Sequence, residues 1–301
     1  MASLPPSSSQ PPAPAPAPEA EPDDNARDPR ESSDLPPWGV WTAPAAIGLG
    51  FVFGTLASLI VELIGQAGGS TIAHPTPLVT IIADVVFDLA FVLAALYLTA
   101  LRGHSTPADF GFRRIPVLKG AKAMALAALA YYGVTTIYAS VFQLHGQDKL
   151  PSDLGATHST AALVGAAIFV CAIAPIAEEF FFRGFVFGAL RRWHVVIGGH
   201  DIGTWLAAVV TGVLFGLAHT GSAKLQYLIP LGFLGFVLCI VRWKTGSLYP
   251  CIALHSANNA LALGINQLNW NGLEILGLLL ASWAVVGAIT LPLSARSPRP
   301  A

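Results

Sequence analysis

Eight apolar stretches follow one another along the chain after residue 38, separated by short polar or Gly- and Pro-containing segments. Each is close to the length of about 20 residues that a helix needs to cross the roughly 30 Å hydrocarbon core of a bilayer. The pattern predicts an all-α polytopic membrane protein, a bundle of about eight transmembrane helices. The predicted spans cover residues 41–64, 76–101, 118–143, 160–190, 203–221, 225–243, 247–267 and 272–292.

Residues 1–37 have a different composition, rich in Pro, Ala, Ser and acidic side chains. Such a segment cannot bury enough apolar surface to offset the entropy lost on ordering. We therefore expect a disordered tail over residues 1–37 and a transmembrane helical domain over residues 38–295. The tail lacks the order of charged, apolar and small residues found in a cleavable signal peptide, so we expect membrane insertion to depend on the first apolar span.

Lys and Arg are concentrated in alternate loops, as the positive-inside rule describes for cytoplasmic segments. They lie between spans two and three and after spans four, six and eight, whereas the intervening loops carry only Lys149 and Lys224. Both termini are therefore predicted to be cytoplasmic. The residues concerned are Arg102, Arg113, Arg114, Lys119, Lys122, Arg191, Arg192, Arg242, Lys244, Arg296 and Arg299.

The composition fits a membrane protein and excludes several partners. Hydrophobic residues make up 54% of the chain and charged residues 11%, against about 25% charged residues in soluble domains. The net charge of -1, from 16 basic and 17 acidic residues, argues against a nucleic-acid partner. We expect an integral multi-pass protein, in the cell membrane if the source is bacterial, with the lipid bilayer as partner. Cys171, Cys239 and Cys251 show no CxxC spacing and are predicted to be buried apolar residues.

Ionisable and amide side chains inside the apolar spans are the candidates for function. Burying such a group in a membrane costs several kcal/mol unless it is paired or faces water, so each one needs a reason to be there. Their spacing along the chain separates those that form groups from those that stand alone. The candidates are Glu62, Asp84, Asp88, Glu178, Glu179, Arg183, His219, His255, Asn258, Asn259 and Glu274.

The segment APIAEEFFFRGF holds two adjacent glutamates within an apolar span. Pro175 lacks an amide hydrogen and is expected to start or kink a helical turn just before them. Arg183 follows Glu179 by four residues, the acid-before-base order that favours an ion pair across one helical turn. Glu178 is then left available as a general base that activates water. The alternative is a structural role, in which these charges tie helices together.

Two histidines each have a partner four residues away on the same helix. Phe215 precedes His219 and is expected to pack beneath its ring, and His255 shares a helix face with Asn259. Together with Glu178, this set suits hydrolysis. His219 would position the attacking water, while His255 and Asn259 would donate hydrogen bonds to the developing oxyanion.

A zinc site is the competing chemical hypothesis. Glu178, His219 and His255 resemble the three protein ligands of hydrolytic zinc enzymes. The compact HExxH helix is absent, and the three residues come from separate spans, which permits a zinc site without predicting one. We expect no obligatory cofactor, with divalent zinc as the alternative.

At these residues the sequence resembles the CPBP family of intramembrane proteases, also called the Abi or CAAX-protease family, which includes the type II CAAX prenyl endopeptidases. Three family motifs occur in order within residues 158–270, preceded by STPADFGFRR, which is similar to the family's amphipathic lead-in. The motif EExxxR corresponds to Glu178, Glu179 and Arg183, FxxxH to Phe215 and His219, and HxxxN to His255 and Asn259.

The resemblance implies an intramembrane endopeptidase that cuts a peptide bond near the terminus of a membrane-associated substrate. It implies Glu178 as the catalytic base with His219 on the water, and His255 with Asn259 as the oxyanion hole. Glu179 and Arg183 become a supporting pair. The implied partner is a peptide or a lipidated protein, such as a prenylated protein that ends in a CAAX box. Whether the mechanism is glutamate-based or metal-dependent stays open.

Two other functions are compatible with the sequence. A proton-coupled transporter could use Asp84 and Asp88, which lie four residues apart on one face of span two, together with the glutamates. A non-catalytic immunity or scaffold protein of the same family could keep the motifs and act by binding. The enzyme hypothesis also has one difficulty, because His219 is predicted near the end of its span and Glu178 near the middle of another.

Overall fold

The protein is a bundle of helices that pack along one another. The computed structural model describes residues 35–103, 105–143, 154 and 159–294, apart from the side chains of residues 266 and 267. A two-stranded antiparallel hairpin, β1 (Val196–Ile197) and β2 (His200–Asp201), lies between the fifth and sixth helices. The helices are α1 (Thr42–Gln66), α2 (Pro77–Ala100), α3 (Pro107–Phe110), α4 (Val117–Val141), α5 (Thr160–Leu190), α6 (Gly203–Ala218), α7 (Leu225–Thr245), α8 (Tyr249–Leu261) and α9 (Gly272–Thr290).

Among the described residues, six helices are long and apolar enough to cross a membrane, namely α1, α2, α4, α5, α7 and α9, the last counted through Leu293. The predicted fold class, an all-α polytopic membrane protein, is confirmed. The two other predicted spans are shorter than expected. The helix α6 has 16 residues, and α8 has 13 residues before it continues as a π-helix over Ala262–Gln267.

Large apolar side chains cover the outer faces of the long helices. Ile64 on α1, Leu129 on α4 and Leu276 on α9 are each among many exposed hydrophobic residues. In a soluble protein such faces would need a partner, whereas lipid tails cover them in a membrane. The protein is therefore an integral multi-pass membrane protein, as its sequence predicts. Which side each terminus faces stays a prediction.

The buried centre of the bundle is the second half of α5, where every residue from 180 to 190 is buried. This part of the helix is not regular. Two π-helical segments, Phe169–Ile173 and Phe180–Val186, flank the six regular residues Ala174–Glu179. At the first of them, the amide of Ala174 bonds to the carbonyl of Phe169, five residues earlier. Such wide turns occur often at functional sites.

Glycines allow α6 and α7 to cross at close range. A Cβ atom on Gly212 would lie 2.7 Å from the carbonyl oxygen of Gly232, and one on Gly216 would lie 2.6 Å from that of Leu228. Both distances are too short for a side chain, so only glycine permits this backbone approach. Small residues four apart are a common device for packing membrane helices.

The helix α8 lies between several neighbours and packs against α4, α5, α7 and α9. At the other side of the bundle, α1 packs mainly on α2. The close approach of α1 and α2 is again made by small residues, because a Cβ atom on Gly50 would lie 2.5 Å from the ring of Phe91. The hydroxyl of Ser58 on α1 donates to the carbonyl of Ala83 on α2 at 2.9 Å.

The chain just before α1 is part of the core. Trp38 is fully buried, and its indole N–H donates to the carbonyl of Phe185 at 3.2 Å. Pro36 is also buried, and its carbonyl accepts a hydrogen bond from Arg192 at 2.8 Å. The structure therefore places Pro36 with the bundle, although the sequence assigns it to the disordered tail. Residues 1–34 of the predicted tail lie outside the described residues.

Glu274 has a structural role at the start of α9, which its position in an apolar span did not predict. It is the third residue of α9, and its carboxylate accepts from the amide of Asn271 at 2.8 Å. The side chain of Asn271 accepts in return from the amide of Glu274 at 3.2 Å. This reciprocal arrangement is a capping box, which satisfies amides at a helix N-terminus.

Candidate active site

The second glutamate of the pair is neutralised inside the protein, as its spacing predicts. Oε1 of Glu179 accepts from Nη1 of Arg183 at 2.8 Å and from Nδ1 of His255 at 2.8 Å. The side chains of Glu179 and Arg183 are fully buried, and that of His255 is 3% exposed. One carboxylate oxygen therefore joins α5 to α8, and its contact with Nδ1 sets the orientation of the histidine ring.

Phe215 on α6 connects this buried pair to the second histidine. Its ring lies 4.1 Å below the guanidinium carbon of Arg183 and contacts the rings of His219 at 4.8 Å and His255 at 5.6 Å. The predicted packing of Phe215 beneath His219 is therefore present. His219 Nδ1 also donates to the carbonyl of Phe215 at 2.8 Å. Because a carbonyl can only accept, Nδ1 carries the hydrogen and the neutral ring presents an unprotonated Nε2.

The first glutamate faces both histidines. Oε2 of Glu178 lies 3.9 Å from Nε2 of His219 and 4.0 Å from Nε2 of His255. These distances are too long for direct hydrogen bonds but suit a bridging water molecule. Oε2 is itself buried and has no hydrogen-bond partner among the described residues. The expected difficulty with the depth of His219 does not arise, because α6 is short and ends beside Glu178.

Pro175 explains how α8 is held against α5. Because Pro175 has no amide hydrogen, the carbonyl of Cys171 loses its α-helical partner. The carbonyl of Val170 loses its partner as well, because the amide of Ala174 bonds to Phe169 instead. Two side chains of α8 satisfy these freed acceptors. The Ser256 hydroxyl donates to Cys171 at 2.5 Å, and Asn259 Nδ2 donates to Val170 at 2.9 Å.

The contact of Asn259 with α5 adds to the role that the sequence suggests for it. Its carboxamide nitrogen has two hydrogens, of which one is bonded to the backbone of α5. The second remains for an acceptor such as an oxyanion. The sequence did not indicate Ser256 as part of the site, since a serine in an apolar helix gives no distinctive signal. The one signal that could have indicated Ser256 was Pro175 on the neighbouring span, because a proline frees a backbone carbonyl that needs a donor.

The other acidic candidates form a separate row along α1 and α2. Asp88 lies close enough to both Glu178 and Asp84 for their charges to interact. Asp84 and Glu62 line a groove of about 400 Å³ between α1 and α2, together with Thr55 and Ser58. Of the two aspartates proposed for a transporter, Asp88 is the one whose charge interacts with Glu178. The sequence did not assign Asp88 to the site because it belongs to none of the motifs.

The three predicted zinc ligands lie farther apart than the donor atoms of a bound zinc ion. The donor atoms of a tetrahedral site lie about 2.0–2.1 Å from the metal and hence about 3.3–3.4 Å from one another. The distances from Glu178 to His219 and His255 are longer than this. Among the described residues, no three His, Cys, Asp or Glu side chains form a group that could hold a metal ion.

The three predicted cysteines are free and buried. They lie on α5, α7 and α8, where they fill the interior of the bundle.

Residues 160–261 match the family model described as type II CAAX prenyl endopeptidase Rce1-like. These residues run from the start of α5 to the end of α8 and contain all seven motif residues. This match covers about a third of the chain. The resemblance to the CPBP proteases that the three motifs indicate is thus confirmed, and the family is one of CAAX-type peptide hydrolases.

Two curated proteins are similar to parts of the chain. An uncharacterized 24.3 kDa protein of Escherichia coli is 27% identical over 138 residues, which is 43% of this chain and 59% of the relative. The UPF0177 protein YxdF of Lactococcus lactis subsp. lactis (strain IL1403) is 31% identical over 87 residues, 29% of this chain and 42% of the relative. The chain thus spans less than two thirds of either relative. No solved structure gives a significant match.

Proposed function

We propose that the protein is an intramembrane endopeptidase that hydrolyses a peptide bond near the terminus of a membrane-associated substrate. The observation that supports this most directly is the position of Glu178, whose Oε2 is nearly equidistant from Nε2 of two histidines. A purely structural cluster would be expected to close these gaps with direct hydrogen bonds, as Glu179 does on the other face of His255.

Glu178 acts as the general base in this proposal. A water molecule between Glu178 and His219 donates one hydrogen to Oε2 and the other to Nε2 of the neutral histidine. As the water oxygen attacks the peptide carbonyl carbon, its proton passes to Glu178. The tetrahedral intermediate then collapses, the C–N bond breaks, and Glu178 returns the proton to the leaving amine. General base catalysis of this kind contributes about 10²- to 10⁴-fold.

His255 and Asn259 stabilise the oxyanion. To donate from Nε2, His255 has to carry hydrogens on both ring nitrogens, and the carboxylate of Glu179 stabilises that positively charged ring. Arg183 balances the second negative charge, so the site with a charged His255 has two carboxylates and two cations. The second N–H of Asn259 supplies another donor. One such donor is worth about 10²- to 10³-fold in turnover.

The family match and the apolar exterior support a membrane-associated substrate. A prenylated protein that ends in a CAAX box, or an unmodified membrane-anchored peptide, can approach the site through the bilayer without leaving an apolar environment. A lipid chain gains about 0.8 kcal/mol for each CH₂ group that stays buried, so the lipid would hold such a substrate at the membrane.

The test is cleavage of a quenched fluorescent CAAX peptide, with and without a farnesyl chain, by the purified full-length protein in detergent. We expect Glu178→Ala and His219→Ala each to lower kcat by at least about 10²-fold while leaving the thermal unfolding temperature unchanged. Glu62→Gln serves as a matched control, because Glu62 is also an intramembrane carboxylate but lies in the groove between α1 and α2. It should cleave like the parent.

Two results would count against the proposal. Full activity in Glu178→Ala would refute the assignment of the base. Loss of activity in the parent protein on adding a zinc chelator, with recovery on adding zinc, would replace the metal-free mechanism by the zinc alternative. A preference for the farnesylated peptide over the plain one identifies the lipid as part of what is recognised.

A further inference from the structure

Two residues outside the family motifs form a hydrogen-bonded chain that ends on Asn259. The hydroxyl of Tyr132, on α4, donates to Oδ1 of Asn258 at 3.1 Å. Nδ2 of Asn258 donates to Oδ1 of Asn259 at 3.3 Å. Nδ2 of Asn259 then donates to the carbonyl of Val170 at 2.9 Å. The chain therefore links three helices, from a tyrosine that is 38% exposed to the backbone of α5.

The carbonyl of Val170 fixes the direction of every bond in this chain. Because a carbonyl only accepts, Asn259 must present Nδ2 to α5 and hence Oδ1 to Asn258. Asn258 must then present Nδ2 to Asn259, which turns its own Oδ1 toward the Tyr132 hydroxyl. Turning over either carboxamide alone would place two acceptors face to face.

We propose that Asn258 and Tyr132 are positioning residues for the reaction at Glu178. This inference rests on the proposed function. Together with the Val170 carbonyl, the two side chains hold the carboxamide of Asn259 in one of its two possible orientations, so that nitrogen and not oxygen is directed toward α5. The second N–H of Asn259 is then available to the oxyanion. With the carboxamide turned over, an oxygen would take its place and repel the negative charge.

The replacement of Asn258 by aspartate separates this role from packing. Asn258→Asp keeps the size and shape of the side chain but replaces the Nδ2 donor by an oxygen, which faces Oδ1 of Asn259. Asn258→Ala removes the side chain and leaves no repulsive contact. If the direction of the hydrogen bonds matters, aspartate is the more damaging replacement. If only packing matters, alanine is the more damaging one.

The experiment measures kcat and KM of the full-length protein on the CAAX peptide described above. For Asn258→Ala we expect kcat to fall about five- to tenfold, as one lost hydrogen bond implies, with KM unchanged. For Asn258→Asp we expect a loss of more than about tenfold, since it adds repulsion to the lost bond. Tyr132→Phe should lower kcat by about two- to fivefold, because Asn258 keeps its bond to Asn259.

The matched control is Tyr138→Phe. Tyr138 lies on the same helix, and its hydroxyl donates to the carbonyl of Gln226 at 3.3 Å, away from the chain just described. It should behave like the parent protein. Equal activity of Tyr132→Phe and Tyr138→Phe, or an Asn258→Asp variant more active than Asn258→Ala, overturns the inference. Glu178→Ala is measured alongside. If it is inactive while the Asn258 variants are fully active, only this inference fails, whereas activity in Glu178→Ala removes the proposed function itself.

Discussion

Arg183→Met removes the guanidinium that pairs with Glu179 and leaves a shorter, uncharged side chain. Both partners are fully buried in the structure, and the nitrogen and oxygen are 2.8 Å apart. Breaking a buried pair from one side costs about 3–5 kcal/mol, because the remaining charge stays buried without its partner. His255 still donates to Glu179 in the variant, so we expect the lower end of that range, about 3 kcal/mol.

The companion variant Glu179→Gln/Arg183→Met removes both charges. The amide oxygen of the replacement can still accept the hydrogen bond from His255, and no unpaired charge remains. Replacing both members of a buried ion pair is often neutral for stability. We therefore expect the double variant to be more stable than Arg183→Met alone, although it should cleave poorly because His255 has lost its negative partner.

The three buried cysteines provide the assay. A dye that becomes fluorescent on reaction with thiols reports unfolding directly, since Cys171, Cys239 and Cys251 are all buried in the folded protein. A loss of about 3 kcal/mol corresponds to a fall of roughly 6–12 °C in the unfolding temperature for a domain of this size. Arg102→Met is the matched control, because Arg102 is an exposed cation 5.2 Å from the ring of Trp41, and we expect a shift of no more than a few degrees.

A shift below about 2 °C for Arg183→Met would show that the pair contributes little to stability. If the loss of stability in the double variant equals the sum of the losses in Arg183→Met and Glu179→Gln, the two charges do not interact. Either result refutes the reasoning that one oxygen of Glu179 holds both Arg183 and His255 in place.

Two further predictions concern packing around the site. Gly216→Ala should lower stability by about 1–3 kcal/mol and also reduce cleavage, because a Cβ atom 2.6 Å from the backbone of α7 forces α6, and with it His219, to move. Gly277→Ala, where a Cβ atom meets nothing within 4 Å, is its control in the same two assays. Trp38→Ala should lower the unfolding free energy by about 3–5 kcal/mol, since a fully buried ring is lost, and Trp38→Phe by about 1–3 kcal/mol, since the Phe185 carbonyl loses its donor. Trp41→Ala, at a ring that is 48% exposed, should change stability little when measured by the same thiol dye.

Side-chain spacing within one helix was predictable from the sequence. Glu179 pairs with Arg183 and Phe215 packs on His219, because residues four apart on a helix face the same side. The all-α membrane fold was predictable for a similar reason, since apolar length alone indicates a spanning helix. The family motifs also identified residues on three separate helices, which spacing alone could not bring together.

Features that depend on irregular backbone could not be predicted. Pro175 indicated a disturbed helical turn, but nothing in the sequence showed that wide turns lie on both sides of it or that Ser256 would bond to a freed carbonyl. The span predicted over residues 203–221 was too long, because it included His219, Thr220 and Gly221, which follow the last helical residue, Ala218. Trp38 was assigned to the start of the membrane domain, but its burial depends on contacts with Phe110 and Phe185, which are distant in the chain.

The two wide turns of α5 also limit how far the motif residues can be transferred to another protein. Copying the glutamates, histidines and asparagine onto regular helices would reproduce their spacing in the sequence but would leave Asn259 and Ser256 without backbone acceptors. A designer who wanted this chemistry in a new bundle would have to transplant Pro175 and the irregular turns along with the side chains. What has to be transferred is the distorted part of α5 together with the face of α8 that donates hydrogen bonds to it.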